Sequence, residues 1–595
     1  MEVIKKILLV LGKDGKKEFF IQFFLMLIAA ALEVIGIGSI PIIMRYILEP
    51  ERLKNMPWLY DKLQQYNLLE TINLFIVGAI VVISVFIIKN IYRLFVDYRQ
   101  IRIVKDVQID LATSLFKKYL NSTYLEHLAK NTSVLIRNIQ NEVIYITSKV
   151  LVPFFLILLN ITILSGFLIS LLIAQPVLTL IILAALIVFM GLFNLAIKKK
   201  LIKYGKVMQY ERKNQLQYLY QGLQGFKAIK VANREAFFMR LFEKTTKKFA
   251  NIQQRVSILN KLPVGYLEVV SILIIFLIVG SLLALDYQGN ELTYLVSFFG
   301  LALVKMRQNI SLIMTNIGLI RTNQVSFDPV LKDLLEPAEY SKSEVYAKTD
   351  FTFKKSITFE KVSFTYGSKD EKVFDSLSLT INKGEIIGVV GATGGGKSTL
   401  VDILLGLIRP QSGDVKVDDN SIFDNVVNWQ NKIGYVPQSI YLLNDTIKKN
   451  ITFGIKEKNI NKELLAKVIE LAQLQEFMDT LSNGLNTEVG ENGARISGGQ
   501  RQRIGIARAL YMQPQVLILD EATSALDNIT EQKFIDILEN LRANMTIVMI
   551  AHRLSTLKDC DRIFYMEKGE IKSSGNFEHL LSSSEAFRNL ASGIS

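Results

Sequence analysis

Long apolar runs dominate the first 320 residues of the chain and alternate with polar, charged stretches. A membrane-spanning helix needs roughly 20 mostly apolar residues, and six runs meet this length. They are Phe19–Leu48, Thr71–Val96, Thr147–Ile173, Val177–Ile197, Val264–Leu285 and Thr293–Leu319. Past Arg321 the hydropathy falls to that of an ordinary soluble sequence. The pattern predicts six transmembrane helices followed by a soluble domain.

The connections between these runs differ in length and charge. Two short connections, 174–176 and 286–292, contain no Lys or Arg, whereas the long segments 97–146 and 198–263 are rich in both. Basic segments stay on the cytoplasmic side of a membrane. The long segments are therefore predicted to be cytoplasmic, as is the lysine-bearing N-terminus, and the short connections and the charge-balanced 49–70 loop are predicted to face outward.

Both long cytoplasmic segments consist mainly of helix-forming residues and contain no proline before Pro263. The membrane helices are therefore expected to continue into the cytosol as helical hairpins. Their tips, Tyr124–Asn131 and Gly225–Glu235, are expected to dock on a cytosolic domain rather than to remain solvated.

The domain boundaries follow from the change in hydropathy. Residues 326–355 contain the breaks Asp328-Pro329 and Glu336-Pro337, which are typical of a linker. We therefore predict a transmembrane domain over 1–325, a linker over 326–355 and a soluble domain over 356–595.

Composition supports a membrane protein and narrows its class. Half of the 595 residues are hydrophobic, and the mean hydropathy is +0.29. The net charge of +14 does not indicate nucleic-acid binding, because the basic residues of the first half lie between apolar runs. A single cysteine, Cys560, excludes an intrachain disulfide and a cysteine-based metal cluster. The first apolar run exceeds the roughly 7–15 residues of a signal-peptide core, so it is expected to stay in the membrane.

A glycine-rich loop follows the short apolar strand predicted at Glu385–Val390. Residues 391–398 read GATGGGKS, which fits the phosphate-binding pattern GxxxxGK[ST]. Backbone N–H groups of such a loop surround the phosphates of a nucleotide, Lys397 adds a positive charge, and the Ser398 hydroxyl can ligate Mg²⁺. The helix predicted at Ser398–Leu405 directs its positive N-terminal dipole at the same anion. The candidate nucleotide-binding residues here are Gly391, Thr393, Gly394, Gly395, Gly396, Lys397, Ser398 and Thr399.

A second apolar run, VLIL at 516–519, ends in the adjacent carboxylates Asp520 and Glu521. An unbroken apolar run of this length is typical of a strand buried on both faces. Asp520 is in position to orient Mg²⁺, and Glu521 is in position to polarise the attacking water. The alternative is a solvated carboxylate pair at the end of a strand.

Between these two motifs, residues 496–500 read ISGGQ, and here the sequence resembles the ATP-binding cassette (ABC) proteins. In that family this signature motif closes over ATP held by the opposite subunit. The resemblance implies that Ser497, Gly498 and Gly499, with Gln500 beside them, act on the partner's nucleotide. Ile496 stands where leucine is usual, and a swap of equal size costs little.

Further positions match the family in order and spacing. The resemblance implies that Tyr366 stacks on adenine, that Gln438 touches magnesium, that His552 contacts the γ-phosphate and that Asp527 bridges the two nucleotide sites. The stretch Thr487–Glu491 is similar to one that senses docked helical tips in exporters. The implied catalytic residues are Glu521, His552 and Gln438, and the implied metal ligands are Ser398, Gln438 and Asp520.

The resemblance implies a half-transporter of the type I ABC exporter class. The expected fold is an all-α transmembrane six-helix domain followed by an α/β P-loop nucleotide-binding domain with a helical subdomain. The expected partners are a second copy of the chain, forming a homodimer, and membrane lipids, and the expected cofactors are ATP and Mg²⁺. The expected location is the bacterial inner membrane, with both termini in the cytoplasm.

Ionisable residues inside spanning helices are costly and usually functional. Here they are Glu33, Lys89, Glu268, Lys305 and Arg307. At about 1.5 Å per residue, Lys305 lies roughly 18 Å below the outer end of the sixth helix, and Lys89 lies deeper. Together they could hold a phosphate or pyrophosphate headgroup, with Glu33, Lys89, Lys305 and Arg307 as candidate substrate residues. In the alternative, Lys89 extends to the membrane surface and Lys305 pairs with Glu33 or Glu268.

The membrane half resembles the bacterial lipid-linked oligosaccharide flippases of the PglK type. The resemblance rests on Leu32-Glu33, on 263–268 at the start of the fifth helix, on 301–305, and on the external amphipathic stretch 57–66. Val264 and Lys305 depart from it, because arginine is frequent at both positions. The resemblance implies movement of a polyprenyl-pyrophosphate glycan from the inner to the outer leaflet. A multidrug or lipid exporter and a membrane-embedded regulatory ABC ATPase remain as alternatives.

Overall fold

The computed structural model divides the chain into two compact units. The first comprises Met1–Leu120 with His127–Pro337, and the second comprises Asn121–Glu126 with Ala338–Ser595. The structure describes residues 2–48, 50–66, 69–284, 289–336, 352–367, 372–522, 545–551 and 555–591.

The first unit is entirely helical in its described residues. Its helices, in chain order, are α1 (Glu2–Val10), α2 (Gly12–Leu48), α3 (Pro57–Gln65), α4 (Thr71–Leu120), α5 (Tyr124–Ala129, whose residues up to Glu126 belong to the second unit), α6 (Thr132–Arg137), α7 (Val143–Ile146), α8 (Val152–Ala174), α9 (Pro176–Gln224), α10 (Phe226–Val231), α11 (Glu235–Ala284), α12 (Gly289–Asn323) and α13 (Phe327–Leu335). Two π-helical segments, Asn138–Glu142 and Thr147–Leu151, make the path from α6 to α8 nearly continuous.

The predicted membrane helices are all present as helices. Five described helical stretches are long and apolar enough to cross a membrane: Gly12–Ile47, Ile72–Leu120, Thr132–Ile173, Pro176–Gln224 and Glu235–Ala284. The sixth, α12, is less apolar because residues 305–309 read KMRQN. Many large apolar side chains of α4 and α11 face outward, as expected for helices in contact with lipid.

The helices of this unit share one apolar core. Met26, Phe155, Phe299 and Met306 are fully buried in it. Helix α2 packs on α4 and α8, α12 packs on α8 and α11, and α9 packs on α11. The core therefore joins the first and last membrane helices through α8.

The structure corrects two expectations about helix ends. Pro263 does not open a helix but lies inside the 50-residue α11. Residues 327–335, predicted to be part of a linker, form the amphipathic helix α13, with Phe327 and Val330 buried. The predicted tips form the short helices α5 and α10, and the turn predicted at 286–292 lies partly outside the described residues.

The second unit is built on two sheets. Its strands are β1 (Ser356–Phe364), β2 (Phe374–Asn382), β3 (Ile386–Gly391), β4 (Ser412–Val417), β5 (Asn420–Ser421), β6 (Ile433–Val436), β7 (Val516–Asp520), β8 (Thr546–Ile550), β9 (Arg562–Glu567) and β10 (Glu570–Gly575). The antiparallel sheet has the order β2-β1-β4-β5, and the six-stranded sheet has the order β10-β9-β3-β8-β7-β6. The second sheet is parallel apart from β10, and its strands β3, β7 and β8 are almost wholly buried.

The described helices of the second unit lie mostly between the strands. They are α14 (Lys397–Leu404), α15 (Val426–Gln430), α16 (Ile447–Ile451), α17 (Lys462–Leu471), α18 (Gln475–Asp479), α19 (Gly498–Tyr511), α20 (Phe577–Ser583) and α21 (Glu585–Ala591). Helices α16 to α19 are inserted between β6 and β7 and form the predicted helical subdomain. The predicted α/β fold with an added helical part is confirmed.

Candidate functional site

The phosphate loop lies between β3 and α14, close to the positions predicted for its strand and helix. Lys397 is the first residue of α14 and is buried, and its Nζ donates to the carbonyl oxygens of Gly391 at 2.7 Å and Ala392 at 3.0 Å. Its ammonium therefore lies inside the loop, where it can meet a bound phosphate.

The loop requires glycine at its last turn. Gly396 caps α14 with a φ of +99°, and a Cβ there would lie 2.6 Å from Cε1 of Phe374. Both the left-handed backbone and the close ring exclude a side chain. The ring of Phe374 thus fixes the path of the loop, and Ser398 beside it is exposed.

The two carboxylates of the second motif lie at the C-terminal end of β7. Strands β6 and β7 run parallel, with Val436 opposite Leu519, so the residues that follow each strand meet at one edge of the sheet. Gln438 Nε2 donates to the Glu521 carboxylate. The structure therefore brings together two side chains that the sequence placed in one site from separate motifs.

Glu521 also has an unusual backbone conformation. Its φ is +50°, in the left-handed region that residues other than glycine rarely adopt, and its N–H donates to the carbonyl of Ile550 at 3.1 Å. Such a conformation costs of the order of 1 kcal/mol or more and persists where the surroundings hold it. Here it turns the chain sharply at the end of a buried strand.

Sequence reasoning missed Tyr435 and Asp402 beside these carboxylates. The Tyr435 hydroxyl donates to Asp520 Oδ2 at 3.4 Å, and burial together with Asp520 raises its pKa. Burial, and secondly the charge of Asp520, raise the pKa of Asp402 in α14 to about 6. Tyr124 is influenced by the same Asp402 charge, although burial is the main cause of its raised pKa. The position of Tyr435 three residues before Gln438, at the end of a strand, is the signal that could have revealed it.

Asp402 gives a prediction about pH. Because its pKa rises from 3.8 to about 6 on folding, the charged form opposes folding, and stability is lost as the pH rises from about 4 to 6. Asp402→Asn should therefore stabilise the nucleotide-free chain at pH 7.5 by on the order of 1 kcal/mol, a figure reduced for solvent screening of a half-buried group. Melting temperatures at pH 7.5 and 4.5 test this, and an equal gain at both would contradict it.

The signature residues begin helix α19. Ser497 is its N-cap and shares a reciprocal capping box with Gln500, in which the Gln500 N–H donates to Ser497 Oγ at 3.2 Å and the Ser497 N–H donates to Gln500 Oε1 at 2.8 Å. Ser497 and Gly498 are exposed. The positive end of a 14-residue helix is therefore presented to solvent, where it can bind an anion.

Of the remaining predicted residues, only some lie in the described part of the chain. Tyr366 is half-buried, with its ring edge-on to Phe364 at 4.9 Å and its hydroxyl 3.2 Å from Thr399 Oγ1. His552 and Asp527 lie outside the described residues. Thr487–Glu491 runs beside the start of α16, because the Thr487 carbonyl accepts from the N–H of Ile447 at 3.0 Å.

In the first unit, three of the predicted substrate residues form one cluster. Lys89 Nζ lies 3.1 Å from Glu33 Oε2, and Lys305 Nζ lies 4.0 Å from Glu33 Oε1. Only 6% of the Lys89 side chain is exposed, against 39% for Lys305. Lys89 thus points inward and does not extend to the membrane surface, whereas Lys305 approaches Glu33 as the alternative expected. The cluster carries one net positive charge.

Arg307 is held apart from this cluster. Its Nη1 lies 3.9 Å from Glu268 Oε1, and the Glu268 side chain is 62% exposed. The fourth predicted substrate residue therefore pairs with another acid, on α11.

An apolar cavity of about 530 Å³ lies beside the cluster. Helices α2, α8 and α12 line it, and its walls include Val34, next to Glu33, and Leu301, one turn before Lys305. Charged and apolar surfaces are thus contiguous inside the first unit.

Both units of the chain are similar to known proteins. The family model described as the ABC transporter transmembrane region matches residues 19–306, and the model described as ABC transporter matches residues 374–524. A solved structure titled as a bacterial Atm1-family ABC exporter with ATP bound aligns over 98% of both chains with a TM-score of 0.79 and 21% identity. This likeness confirms the type I exporter fold.

Curated relatives match parts of the chain. An ATP-dependent lipid A-core flippase from Cupriavidus pinatubonensis is 31% identical over 373 residues, which is 62% of each chain. Another of that name, from Desulfotalea psychrophila, is 43% identical over 40% of this chain and 42% of its own. A putative export ATP-binding/permease protein from Rickettsia felis is 40% identical over 40% of this chain and 41% of its own. The matched region thus spans between 41% and 62% of these relatives' length.

The transmembrane family model matches the first unit, and the ABC transporter model matches the second. The phosphate loop, the paired carboxylates and the signature all lie in the second unit. The chain therefore belongs to the ABC transporters, with a transmembrane region followed by an ATP-binding domain.

Proposed function

We propose that two copies of this chain form an ATP-driven flippase that moves a phosphate-bearing lipid from the inner to the outer leaflet of a bacterial inner membrane. The observation that carries the proposal is the Glu33–Lys89–Lys305 cluster next to an apolar cavity in the membrane unit of an ABC transporter. An excess of positive charge beside an apolar space suits an anionic headgroup that carries lipid chains.

ATP hydrolysis is assigned to the second unit. Lys397 and the loop N–H groups hold the phosphates, Tyr366 lies against the base, and Glu521 accepts a proton from the attacking water. The carboxylate of Glu521 already accepts a hydrogen bond from Gln438, which orients it. His552 and Asp527 are proposed to contact the γ-phosphate and to bridge the two sites.

The residues present fit a magnesium ion. Ser398 offers a hydroxyl, Gln438 an amide oxygen and Asp520 a carboxylate, and Mg²⁺ prefers such oxygen ligands together with those of the phosphates. When bound, the ion would neutralise charge on the phosphates of ATP. Tyr435 holds Asp520 in place through its hydroxyl.

A second copy completes each nucleotide site. The N-terminus of α19 is exposed and capped, and a bound triphosphate is the anion expected from its place in the signature. Binding of ATP would join the two ATP-binding domains, and hydrolysis would release them.

The proposed substrate class rests on the positive charge of the Glu33–Lys89–Lys305 cluster and on the names of the relatives. A pyrophosphate-linked glycan and a phosphorylated lipid A-core share an anionic headgroup on apolar chains. The relatives' printed names favour the lipid A-core, whereas the resemblance of the 263–268 and 301–305 segments favours the lipid-linked oligosaccharide.

Lys305→Ala tests the substrate site. In nanodiscs, undecaprenyl-pyrophosphate glycan or lipid A should stimulate ATP hydrolysis by the unaltered protein. Lys305→Ala should reduce that stimulation about tenfold or more, because one charge-assisted contact is worth roughly 1.5–3 kcal/mol. Basal hydrolysis should remain, since Lys305 lies in the other unit.

Lys305→Arg is the matched control and should retain stimulation by keeping the charge. Stimulation by hydrophobic drugs but by neither lipid would instead identify a drug exporter. Failure to move any lipid in proteoliposomes, with normal hydrolysis, would favour a regulatory ATPase.

A further inference from the structure

A second cavity in the membrane unit lies between α9, α11 and α12. Its volume is about 130 Å³, close to the roughly 150 Å³ of an engineered cavity that holds a small guest molecule. Most of its wall is apolar, including Phe193, Ile197 and Met314. The polar groups that line it are Asn194, Asn260 and Arg321.

The local sequence keeps this space open. Pro263, on the cavity wall, lacks an N–H and interrupts the hydrogen bonding of α11. The hydroxyl of Thr315 donates to the Asn260 carbonyl at 3.2 Å and so links α12 to α11 three residues before the proline. Gly318 lets α12 approach closely, because a Cβ there would lie 2.2 Å from Asn260 Oδ1. The cavity is therefore built into the packing of the three helices.

The positive charge in this cavity comes from Arg321. The half-buried Arg321 guanidinium donates to Asn194 Oδ1. None of the carboxylates in the described residues forms an ion pair with it. Asn260 Oδ1 is buried and has no hydrogen-bond partner among the described atoms. A half-buried cation next to a polar atom with unmet hydrogen bonding suits an anionic, hydroxyl-bearing guest.

The depth of the cavity indicates the source of the guest. On the predicted orientation, Arg321 lies at the cytoplasmic end of α12, and the exposed Lys198, Lys199 and Lys200 of α9 lie on the same side. Basic pockets between membrane helices on this side bind lipid headgroups. The apolar wall continues from Asn194 toward Met190, into the membrane part of α9.

We propose that this cavity binds the phosphate group of an anionic lipid of the cytoplasmic leaflet, with Arg321 as its main ligand. This site is separate from the Glu33–Lys89–Lys305 cluster, and the lipid is bound in place rather than transported. A lipid here would sit against the proline-interrupted part of α11 and support the packing of α11 on α12.

The test is a titration of the full-length protein in detergent, followed by native mass spectrometry. Dioleoyl phosphatidic acid is the probe, dioleoyl phosphatidylcholine is the zwitterionic comparison without net charge, and inorganic phosphate is the soluble comparison. Arg321→Gln should weaken binding of phosphatidic acid about 10- to 100-fold, the range expected for loss of a hydrogen bond between charged groups. Arg321→Lys should retain part of the affinity.

The matched control is Lys199→Gln, which removes one exposed charge on the same side of the membrane and should leave binding unchanged. Equal affinity of Arg321→Gln and the unaltered protein for phosphatidic acid would overturn the proposal, as would equally tight binding of phosphatidylcholine. Tight binding of inorganic phosphate alone would show a soluble ligand and would also overturn it. The readout does not involve hydrolysis or transport, so its failure is distinct from failure of the proposed flippase.

Discussion

Glu521→Gln should abolish most ATP hydrolysis while leaving ATP bound. A positioned general base contributes about 10²- to 10⁴-fold to a rate, and the amide cannot accept the proton from water. The substitution keeps the size of the side chain, so the left-handed backbone at this residue and the contact with Gln438 need change little. We expect turnover to fall at least 100-fold, with nucleotide affinity within about threefold of the original.

The accompanying measurement is the contact between the ATP-binding domains of two copies. If the partner's signature closes over ATP, the ATP-binding domains of two Glu521→Gln copies should be in contact when ATP is present. A crosslink between a cysteine introduced at Ser497 of one copy and a cysteine introduced near the phosphate loop of the other would report this contact. Cys560 is buried and should not interfere. Lys397→Ala is the matched control, because it should weaken ATP binding and abolish the crosslink. Rapid turnover by Glu521→Gln would refute the assigned role.

Arg137→Met should destabilise the membrane unit by about 3–5 kcal/mol. Glu142 is fully buried, its Oε1 lies 3.5 Å from Arg137 Nε, and Arg137 is 9% exposed. Removal of one partner of a buried pair leaves an uncompensated charge, which is the expensive case. Gln209 Nε2, at 3.4 Å from Glu142 Oε2, supplies only a weak substitute, and the electrostatic interaction of Glu142 with the buried Arg212 offsets only part of the charge.

Two further variants make this prediction specific. Lys247→Met removes a cation from the exposed pair with Glu243, four residues away on α11, and should cost less than about 0.5 kcal/mol. Arg137→Met with Glu142→Gln should recover part of the loss, because the buried charge is then absent. Thermal unfolding in one detergent compares these variants with the unaltered protein and with the single variant Glu142→Gln. A double variant as unstable as the sum of its single variants would contradict the pairing.

Much of the fold could be predicted, because each kind of element leaves its own pattern. Runs of apolar residues indicated the membrane helices, and the order of strand, glycine loop and helix around Lys397 indicated the start of the ATP-binding domain. Pro263 was misread, because a proline is normally a helix boundary. Inside a packed helix bundle, contacts with neighbouring helices can offset the lost hydrogen bond, and the Thr315 hydroxyl of α12 donates to the carbonyl of Asn260, close to the proline. The break Asp328-Pro329 predicts a linker, but Pro329 lies in the first turn of α13, where a helix tolerates proline.

The site was predicted where residues belong to motifs and missed where they do not. Lys397, Asp520 and Ser497 follow from local spacing. Tyr435 and Asp402 reach the same site because β6 and α14 pack beside β7. The spacing of Tyr435 from Gln438 is a weak local signal, whereas no local pattern marks Asp402. The partnership of Lys89 with Glu33 is likewise a tertiary contact between α4 and α2, 56 positions apart in the chain.

The capping box of α19 determines what Ser497 can offer to a visiting phosphate. Its hydroxyl oxygen already accepts a hydrogen bond from its own helix, so the single hydroxyl proton remains available and the χ1 rotamer is set beforehand. An arriving anion would meet a donor that needs no reordering, and the loss of side-chain entropy has occurred during folding. On the proposed arrangement, engagement of the two copies would then be governed by how much ATP is present rather than by slow rearrangement of the loop.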